Sequence, residues 1–520
     1  MRIKMWLIAG LTVLLTACSG GGGNTLPAAV PATTLQGSAY DAALNDSTVD
    51  VYSYENGVIG TQLAETTSAP DGSFSLNIQS ESTPLLVVAR GGYYVEEASG
   101  TTVNLTAGQT LQAVLNHTTG QADTVYLTPL THLAAGLAAY RIKQGMSASA
   151  AIDSANQEIS NIVGFNILTT KPLDITDPAN ATAFPTYGDL YGFISAAISS
   201  WTAYASTKSG TAIHSVENTI SFTQKMYDDV VADGKLDGYG VDQNGNISPV
   251  SLGLIPLNPT VYRYAIAAHI IAAVNSSYNK TGLTEAQVAD FANKFATNGD
   301  AIWAGAPILP FATNHGRPVI TFTSPRNGAW IARTTPVAGT VTDNVPIDST
   351  QFTVDNALVG TAATPTSPVF AINTTGPGYP DGTHTFTFVA TNSIGITSTA
   401  SITVGVDNTP PTSTGTESDY AGSDGVHLVW SVIPQDAGSG INTVYTTVNG
   451  AGTLLPFAQQ SNGTWYLDVA ESTLGLTNTS IDVFTWPVVI KDNAGNCSSY
   501  DDSAGGVAGA GWRYLSGGPC

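Results

Sequence analysis

The hydrophobic period of this chain changes twice along its length, and no single layer of secondary structure accommodates both periods. Ser73-Phe74-Ser75-Leu76-Asn77-Ile78 alternates polar and apolar, the two-residue period of a half-buried strand, and Asp71-Gly72 before it supplies a tight turn. Leu85-Leu86-Val87-Val88-Ala89 is apolar throughout, as befits a strand covered on both faces. After about residue 126 the spacing becomes 3.6. Leu130, Leu133, Leu137 and Tyr140 share one stripe, as do Ile152, Ala155, Ile159 and Ile162, and Leu190, Phe193, Ile194, Ala197, Trp201 and Tyr204. Strand patterns return at 316 and persist to the end. A chain of 520 residues exceeds what one core can serve. The expected fold class is therefore multi-domain: a β-sandwich over 34–120, an all-α helical bundle of five or six helices over 126–310, and two β-sandwiches over 316–410 and 412–520.

Helix boundaries are legible from capping chemistry. Thr128-Pro129 and Asn258-Pro259 each pair a capping side chain with proline at the first helical position. Thr284 with Gln287 forms a capping box, and Gly164 ends the second helix.

The N-terminus carries Arg2 and Lys4, then an apolar run from Met5 to Leu15, a secretory signal of residues 1–17 that is too short to span a bilayer. Its ending, Leu15-Thr16-Ala17-Cys18, resembles the lipobox of bacterial lipoproteins. The resemblance implies diacylglycerol on the Cys18 thiol, cleavage before it and acylation of the new N-terminus. Several acyl chains, each CH₂ worth roughly 0.8 kcal/mol, hold a protein at a membrane. Residues 18–33, rich in Gly, Ser, Pro and Ala, form a flexible tether reaching at most roughly 50 Å. Ser19 behind the cysteine resembles proteins sorted to the bacterial outer membrane, where the chain is expected to face either the periplasm or the cell surface. With Cys18 assigned to lipid, Cys497 and Cys520 most simply form one disulfide, closing a loop of about 24 residues worth roughly 3 kcal/mol.

The β segments carry further resemblances. Leu35-Gln36-Gly37, the Val49–Tyr54 strand and Thr67 through Asp71-Gly72-x-Phe74 resemble carboxypeptidase-regulatory-like (prealbumin-type) domains, modules with no chemistry of their own. Ser324-Pro325-Arg326-Asn327-Gly328, Pro336–Asp343, Tyr379–Phe388 and Ile402–Asp407 resemble bacterial immunoglobulin-like repeats. Asp407-Asn408-Thr409-Pro410-Pro411 looks like the junction between two of them, and Asp436–Ile441 and Asp492–Asn496 resemble the repeat's recurring turns. The resemblance implies immunoglobulin-like sandwiches, which serve adhesins, enzyme appendages and stalks alike. The helical segment, opening on Leu127-Thr128-Pro129-Leu130-Thr131, looks like an uncharacterised domain of bacterial surface lipoproteins.

Composition narrows the partners. With 17 Lys+Arg and a formal net charge of −22, the surface repels phosphate backbones and argues against nucleic acid. There is no G-x-S-x-G, H-E-x-x-H, phosphate-gripping loop or C-x-x-C, so no catalytic residue is assigned and no cofactor is expected, calcium being the one candidate ion. Calcium asks for six to eight oxygens. Asp233, Asp237, Asp242, Asn244 and Asn246, downstream of Asp228-Asp229, offer them, although Ile247 stands where an EF-hand has glycine and no glutamate follows at position twelve. A helix end followed by an Asn-Gly turn explains the same residues. Asp407 with Asp343 and Asp348 is a weaker ion candidate. His132 and His269 lie on helices of one domain and could meet across the bundle; the plainer expectation is two buried, locally satisfied histidines. Trp465 falls in line with Leu467 and Val469 and belongs to a core, whereas Trp512 in the Gly-rich tail is the candidate for a surface ring that stacks on a ligand.

The function these features imply is a non-catalytic scaffold for binding, adhesion or envelope structure, partnered by the membrane and by a protein or glycan at the C-terminal sandwiches. An accessory carbohydrate-binding or polysaccharide-handling lipoprotein is the alternative, and a hydrolase with its site in the helical domain stands behind it. A flat aromatic patch on the last sandwich favours the glycan. A deep pocket lined by His132, His269 or the Asp228–Asp242 carboxylates favours the enzyme.

Overall fold

The computed structural model describes residues 32–79, 83–241, 245–447, 454–474, 487–502 and 512–515. Cys18, Asp242, Asn244 and Cys520 lie outside the described residues, and with them the expected lipidation, the centre of the candidate calcium loop and the expected partner of Cys497.

The first sandwich packs a three-stranded sheet (Ser73–Ile78, Thr33–Ala39, Asp123–Leu127) on a four-stranded one (Val58–Thr67, Thr48–Glu55, Pro84–Arg90, Thr110–Asn116). Asp123–Leu127 pairs in parallel with Thr33–Ala39, so the sandwich closes beyond residue 120 and runs directly into the first helix. The all-apolar strand Pro84–Arg90 has the two covers its sequence demands. Leu85, Val87 and Ala89 enter the sandwich core, and Leu86 on the opposite face enters the core of the helical domain.

Six helices follow: α1 (Pro129–Lys143), α2 (Ala148–Val163), α3 (Tyr187–Lys208), α4 (Thr219–Asp233), α5 (Pro259–Val274) and α6 (Glu285–Ala296). Thr128, Asn258 and Thr284 stand at the N-caps expected of them, and Gly164 ends α2 at φ 79°, where a side chain would be strained. Helix α4 supplies the helix end offered above as the alternative to a calcium loop. It contains Asp228 and Asp229 in its last two turns, so these carboxylates belong to a helix end and not to an ion-binding loop.

The third and fourth units are both two-sheet sandwiches. The third is centred on Phe352, Phe386, Phe388 and Val404, and the fourth on Trp430, Val432, Val444 and Ile490. Trp465, Leu467 and Val469 line up against the latter core, as the alternation predicts.

The first three units are not beads on a string. One hydrophobic cluster takes in the helical bundle, Tyr54, Leu86 and Val114 from the first sandwich, and Val345, Ile394 and Ile396 from the third unit. Polar contacts lock the second of these seams. Lys208 Nζ reaches Asp348 at 2.7 Å, the Tyr204 hydroxyl donates to the same carboxylate at 2.9 Å, and Arg317 donates to Glu285 at 2.9 and 2.7 Å. The Arg317 guanidinium holds the Glu285 carboxyl down to about 2, against the opposing effect of burial, with help from His315 and Asn275. Because the folded pKa lies below the ordinary 4.5, this stabilisation is complete above pH 4.5 and is lost as pH falls towards 2. Acid titration followed by tyrosine and tryptophan fluorescence is therefore expected to loosen this seam over that window. In Glu285→Gln the loosening over that window should be blunted, and an unchanged acid profile would contradict the assignment.

Candidate functional site

The residues singled out from sequence separate in space. His132 is enclosed, with its ring edge-on to Tyr227 at 5.0 Å, and burial drives its pKa down to about 3, leaving a neutral imidazole. His269 is also buried, held neutral with a pKa of about 4 by desolvation. Its Nδ1 accepts from Ser200 Oγ at 2.9 Å, and its Nε2–H donates to the Ile394 carbonyl at 2.8 Å. His269 is thus a peg between the helical domain and the third unit, and the two histidines have no partner in common.

The loop carboxylates hold backbone. Asp233 Oδ1 accepts from Lys235 N and Asp237 Oδ1 from Tyr239 N, both at 3.0 Å. Asp229 accepts from Gly238 N at 3.0 Å and from the Tyr262 hydroxyl at 2.9 Å. Asn246 precedes the short strand Ile247–Pro249. The turn explanation therefore accounts for the described members of this set.

Asp407, Asp343 and Asp348 do not form a group, which corrects that expectation. Asp348 is bound to Lys208 and Tyr204, and Asp343 accepts from Asn392 Nδ2 at 2.7 Å. Asp407 is brought instead beside Asp436 and Asp492, whose ligand atoms all lie within 4.8 Å of one another. Each accepts backbone N–H groups: Asp407 from Ser439 at 2.7 Å, Asp436 from Gly440 at 2.6 Å and Asp492 from Asn496 at 2.8 Å. Gly438 is required there because a Cβ would sit 2.5 Å from the Asp407 carboxyl carbon. The three carboxylates join the two C-terminal sandwiches and are chemically suited to a hard divalent cation. The sequence signal was present in the Asp-Ala-Gly-Ser-Gly and Asp-Asn-Ala-Gly-Asn turns, but their convergence is tertiary.

Trp512 is not presented to solvent as a free platform. Its ring stacks on Tyr500 at 5.8 Å with an interplanar angle of 11°, and it packs against the last core. The exposed aromatic surface of that sandwich lies elsewhere. Tyr420 is directly opposite His427, Asp468 is opposite Val429, and Tyr466 is opposite Ser431, which places all of them on the outer face of one sheet. The Tyr420 ring, 47% exposed, stacks on His427 at 4.8 Å. Its hydroxyl donates to Asp468 at 3.0 Å, while His427 bridges Asp468 and Asp424 at 2.7 and 2.9 Å. Asp424, then Asp468, raise the pKa of His427 above its ordinary value, so this patch holds its imidazolium further towards neutral pH. The alternation that turns Trp465, Leu467 and Val469 inward turns Tyr466 and Asp468 outward, a signal present in the sequence.

A groove of about 890 Å³ runs between α2 and the first sandwich, lined by Asn116, Asp123, Asp153, Asn156, Gln157 and Asn161 among others. Within the lining Asn116 donates to Asp153 at 2.7 Å and Gln157 to Asn161 at 2.7 Å, while the Oδ1 atoms of Asn116 and Asn156 are buried without a hydrogen-bond partner. None of its lining residues is His132, His269, Asp228 or Asp229.

Residues 318–388 match the family model described as "Bacterial Ig domain", so the third unit carries that domain. Among solved structures, the chain is similar to the fibronectin(III)-like modules of Clostridium thermocellum CbhA, with 17% identity over 34% of this chain and 88% of that one and a TM-score of 0.26. It is similar to titin domains A168–A170 at 12% identity, covering 34% and 61%, with a TM-score of 0.23. It is also similar to SGBP-B of the Bacteroides ovatus mixed-linkage glucan utilization locus at 11% identity, covering 35% and 46%, with a TM-score of 0.14. No curated protein matches.

Proposed function

We propose that this chain is a lipid-anchored protein of the bacterial outer membrane that works as a rigid, non-catalytic binding scaffold. One observation carries the reading: two sandwiches and the helical bundle share a single hydrophobic cluster. The bundle spends apolar faces on both neighbouring sandwiches, which ties the three units together as one support. Signal, lipobox and tether supply the anchor, and the cross-braced junction at Asp407 carries the last sandwich onward. The test is detergent-phase partitioning of the natively produced chain. The parent is expected in the detergent phase and Cys18→Ser in the aqueous phase; a parent that stays aqueous overturns the anchor. Protease added to intact cells then reports which side of the membrane the scaffold faces.

A second reading is favoured by the outer face of the last sandwich. Tyr420 and Tyr466 supply ring surface, and Asp424 and Asp468 supply acceptors for sugar hydroxyls, an arrangement suited to a glycan chain lying across the sheet. Affinity electrophoresis against a panel of soluble polysaccharides tests it. Tyr420→Ala and Tyr466→Ala are each expected to weaken retention by about 1 kcal/mol. Retention that survives both substitutions, or an absence of retention in the parent, rejects the glycan.

A further inference from the structure

Helix α2 carries two stripes of opposite chemistry. Ile152, Ala155, Ile159 and Ile162 pack into the shared hydrophobic cluster. Asp153, Asn156, Gln157, Ser160 and Asn161 recur at the same helical spacing and line the groove of about 890 Å³ against the first sandwich. From Asp153 to Asn161 this polar stripe runs about 12 Å along the helix axis. The facing wall comes from the sandwich: Asn116 ends the strand Thr110–Asn116, and Asp123 and Thr124 begin the strand Asp123–Leu127. Among the described residues that line the groove there is no lysine, arginine or histidine, so its polar surface is made of carboxamides, hydroxyls and two carboxylates.

These side chains are held from behind. Asn156 Nδ2 donates to the Val114 carbonyl at 2.9 Å, and Asn116 Nδ2 donates to the Ser149 carbonyl at 3.1 Å and to Asp153 at 2.7 Å. With the nitrogens committed, each Oδ1 is fixed in place, and neither has a donor; Asn156 is only 9% exposed. A buried amide oxygen without a donor has lost its hydration and gained nothing in return. Asp123 is oriented by His117, whose Nδ1 lies 2.6 Å from its Oδ2. On the rim Asp153, Gln157 and Asn161 are exposed. A carboxamide carries both donor hydrogens and an acceptor oxygen, so this rim can give and take hydrogen bonds.

We propose that this groove binds an uncharged polysaccharide chain, whose hydroxyls donate to Asn116 and Asn156 and pair with Gln157 and Asn161 on the rim. A sugar hydroxyl donates and accepts at once, which complements a wall built of carboxamides. Asn116 and Asn156 are already anchored, so little side-chain order is lost when a ligand arrives. Charge sets the class: two carboxylates and no cation repel phosphate, sulfate and uronate. The volume lies within the roughly 300–1,000 Å³ of ligand sites, and the groove is open, which suits a chain passing through it. An extended peptide is the competing occupant. It would bind through unpaired backbone and pockets for alternate side chains, whereas the α2 wall offers side-chain amides on a backbone already engaged within the helix. The groove is separate from the Tyr420 face of the last sandwich and does not depend on that face taking a glycan.

The experiment uses the full chain carrying Tyr420→Ala and Tyr466→Ala, so that the outer face of the last sandwich is removed from the count. In affinity electrophoresis through gels containing a neutral β-glucan, mannan or dextran, this background chain is expected to be retarded in at least one gel. A polygalacturonate gel should leave it unretarded. Adding Gln157→Ala and Asn161→Ala should weaken binding by roughly thirtyfold, the loss of two ordinary hydrogen bonds. Tm should not move, because both side chains are exposed. If that variant fails to fold, Gln157→Ala alone replaces it, with roughly a fivefold loss expected. Free migration of the background chain in every neutral gel overturns the proposal, and so does unchanged retardation in the groove variant or equal retardation by polygalacturonate. Retardation by an unfolded polypeptide held in the gel, with none by the neutral polymers, assigns the groove to a peptide and overturns the proposal equally. Because Tyr420 and Tyr466 are already absent, failure here leaves the reading of that face untouched.

Discussion

Valine at position 395 is expected to pry the third unit off the helical domain. Gly395 sits at φ 90° in the turn Asn392–Ile396, where a Cβ would lie 2.3 Å from Tyr204 Cγ and 2.6 Å from its Cδ1. The ring cannot simply swing aside, because the Tyr204 hydroxyl donates to Asp348 at 2.9 Å and to the Asn392 carbonyl at 3.3 Å. Ile394 and Ile396 of the same turn are buried in the shared cluster, and full burial of two isoleucines is worth about 3–6 kcal/mol. Asn392, wholly buried, donates to the Gly316 carbonyl at 2.9 Å and accepts from Ile396 N at 2.9 Å, so displacing the turn also strands paired backbone. Calorimetry of the full chain should show the third unit melting separately and earlier, and protease should gain access to the connecting segment near residues 305–316. Gly376→Ala is the control, since a Cβ there meets nothing within 4 Å. If Gly395→Val melts as the parent does, the seam is not a structural joint.

The second large effect is expected from Trp201→Ala. Trp201 on α3 is wholly buried, edge-on to Phe222 at 5.2 Å and stacked on His269 at 6.3 Å. Its indole nitrogen has no hydrogen-bond partner, so the loss is one of burial and cavity formation alone, about 3–5 kcal/mol. Because His269 is the peg to the Ile394 carbonyl, the cavity also opens beside the seam. Urea unfolding should show a matching drop in midpoint, with Trp201→Phe recovering part of it. A loss below about 1 kcal/mol would mean that the bundle is not organised around α3.

Much of the fold was legible because its causes are local. Capping at Thr128-Pro129, Asn258-Pro259 and Thr284/Gln287 depends on hydrogen bonds within four residues, and the alternation of Ser73–Ile78 or Trp465–Val469 depends on strand geometry alone. Only the end of helix α4 is legible in the sequence, because its apolar positions Ile220, Phe222, Met226 and Val230 are interspersed with Thr, Gln, Lys and Asp, and the acids at that end suit an ion site as well. The candidate sites were less legible. Asp407 has Asp436 and Asp492 as its companions in space, whereas Asp348 pairs with Lys208, and nothing local in the chain distinguishes the two sets. The Gly-rich surroundings of Trp512 suggest a surface ring and say nothing about the Tyr500 ring on which it stacks.

Periodicity, caps and turn residues, each acting over a few residues, are enough to determine the fold class, sandwiches flanking a helical region. Which surfaces those units would turn towards one another required three dimensions. Leu86 announces a second buried face without naming the helical domain as its cover, and nothing local marks Ile394 and Ile396 as partners of that domain. Local order follows from backbone sterics and nearby hydrogen bonds, whereas contact between distant segments is set by shape and desolvation summed over whole faces, a quantity no short stretch of chain contains.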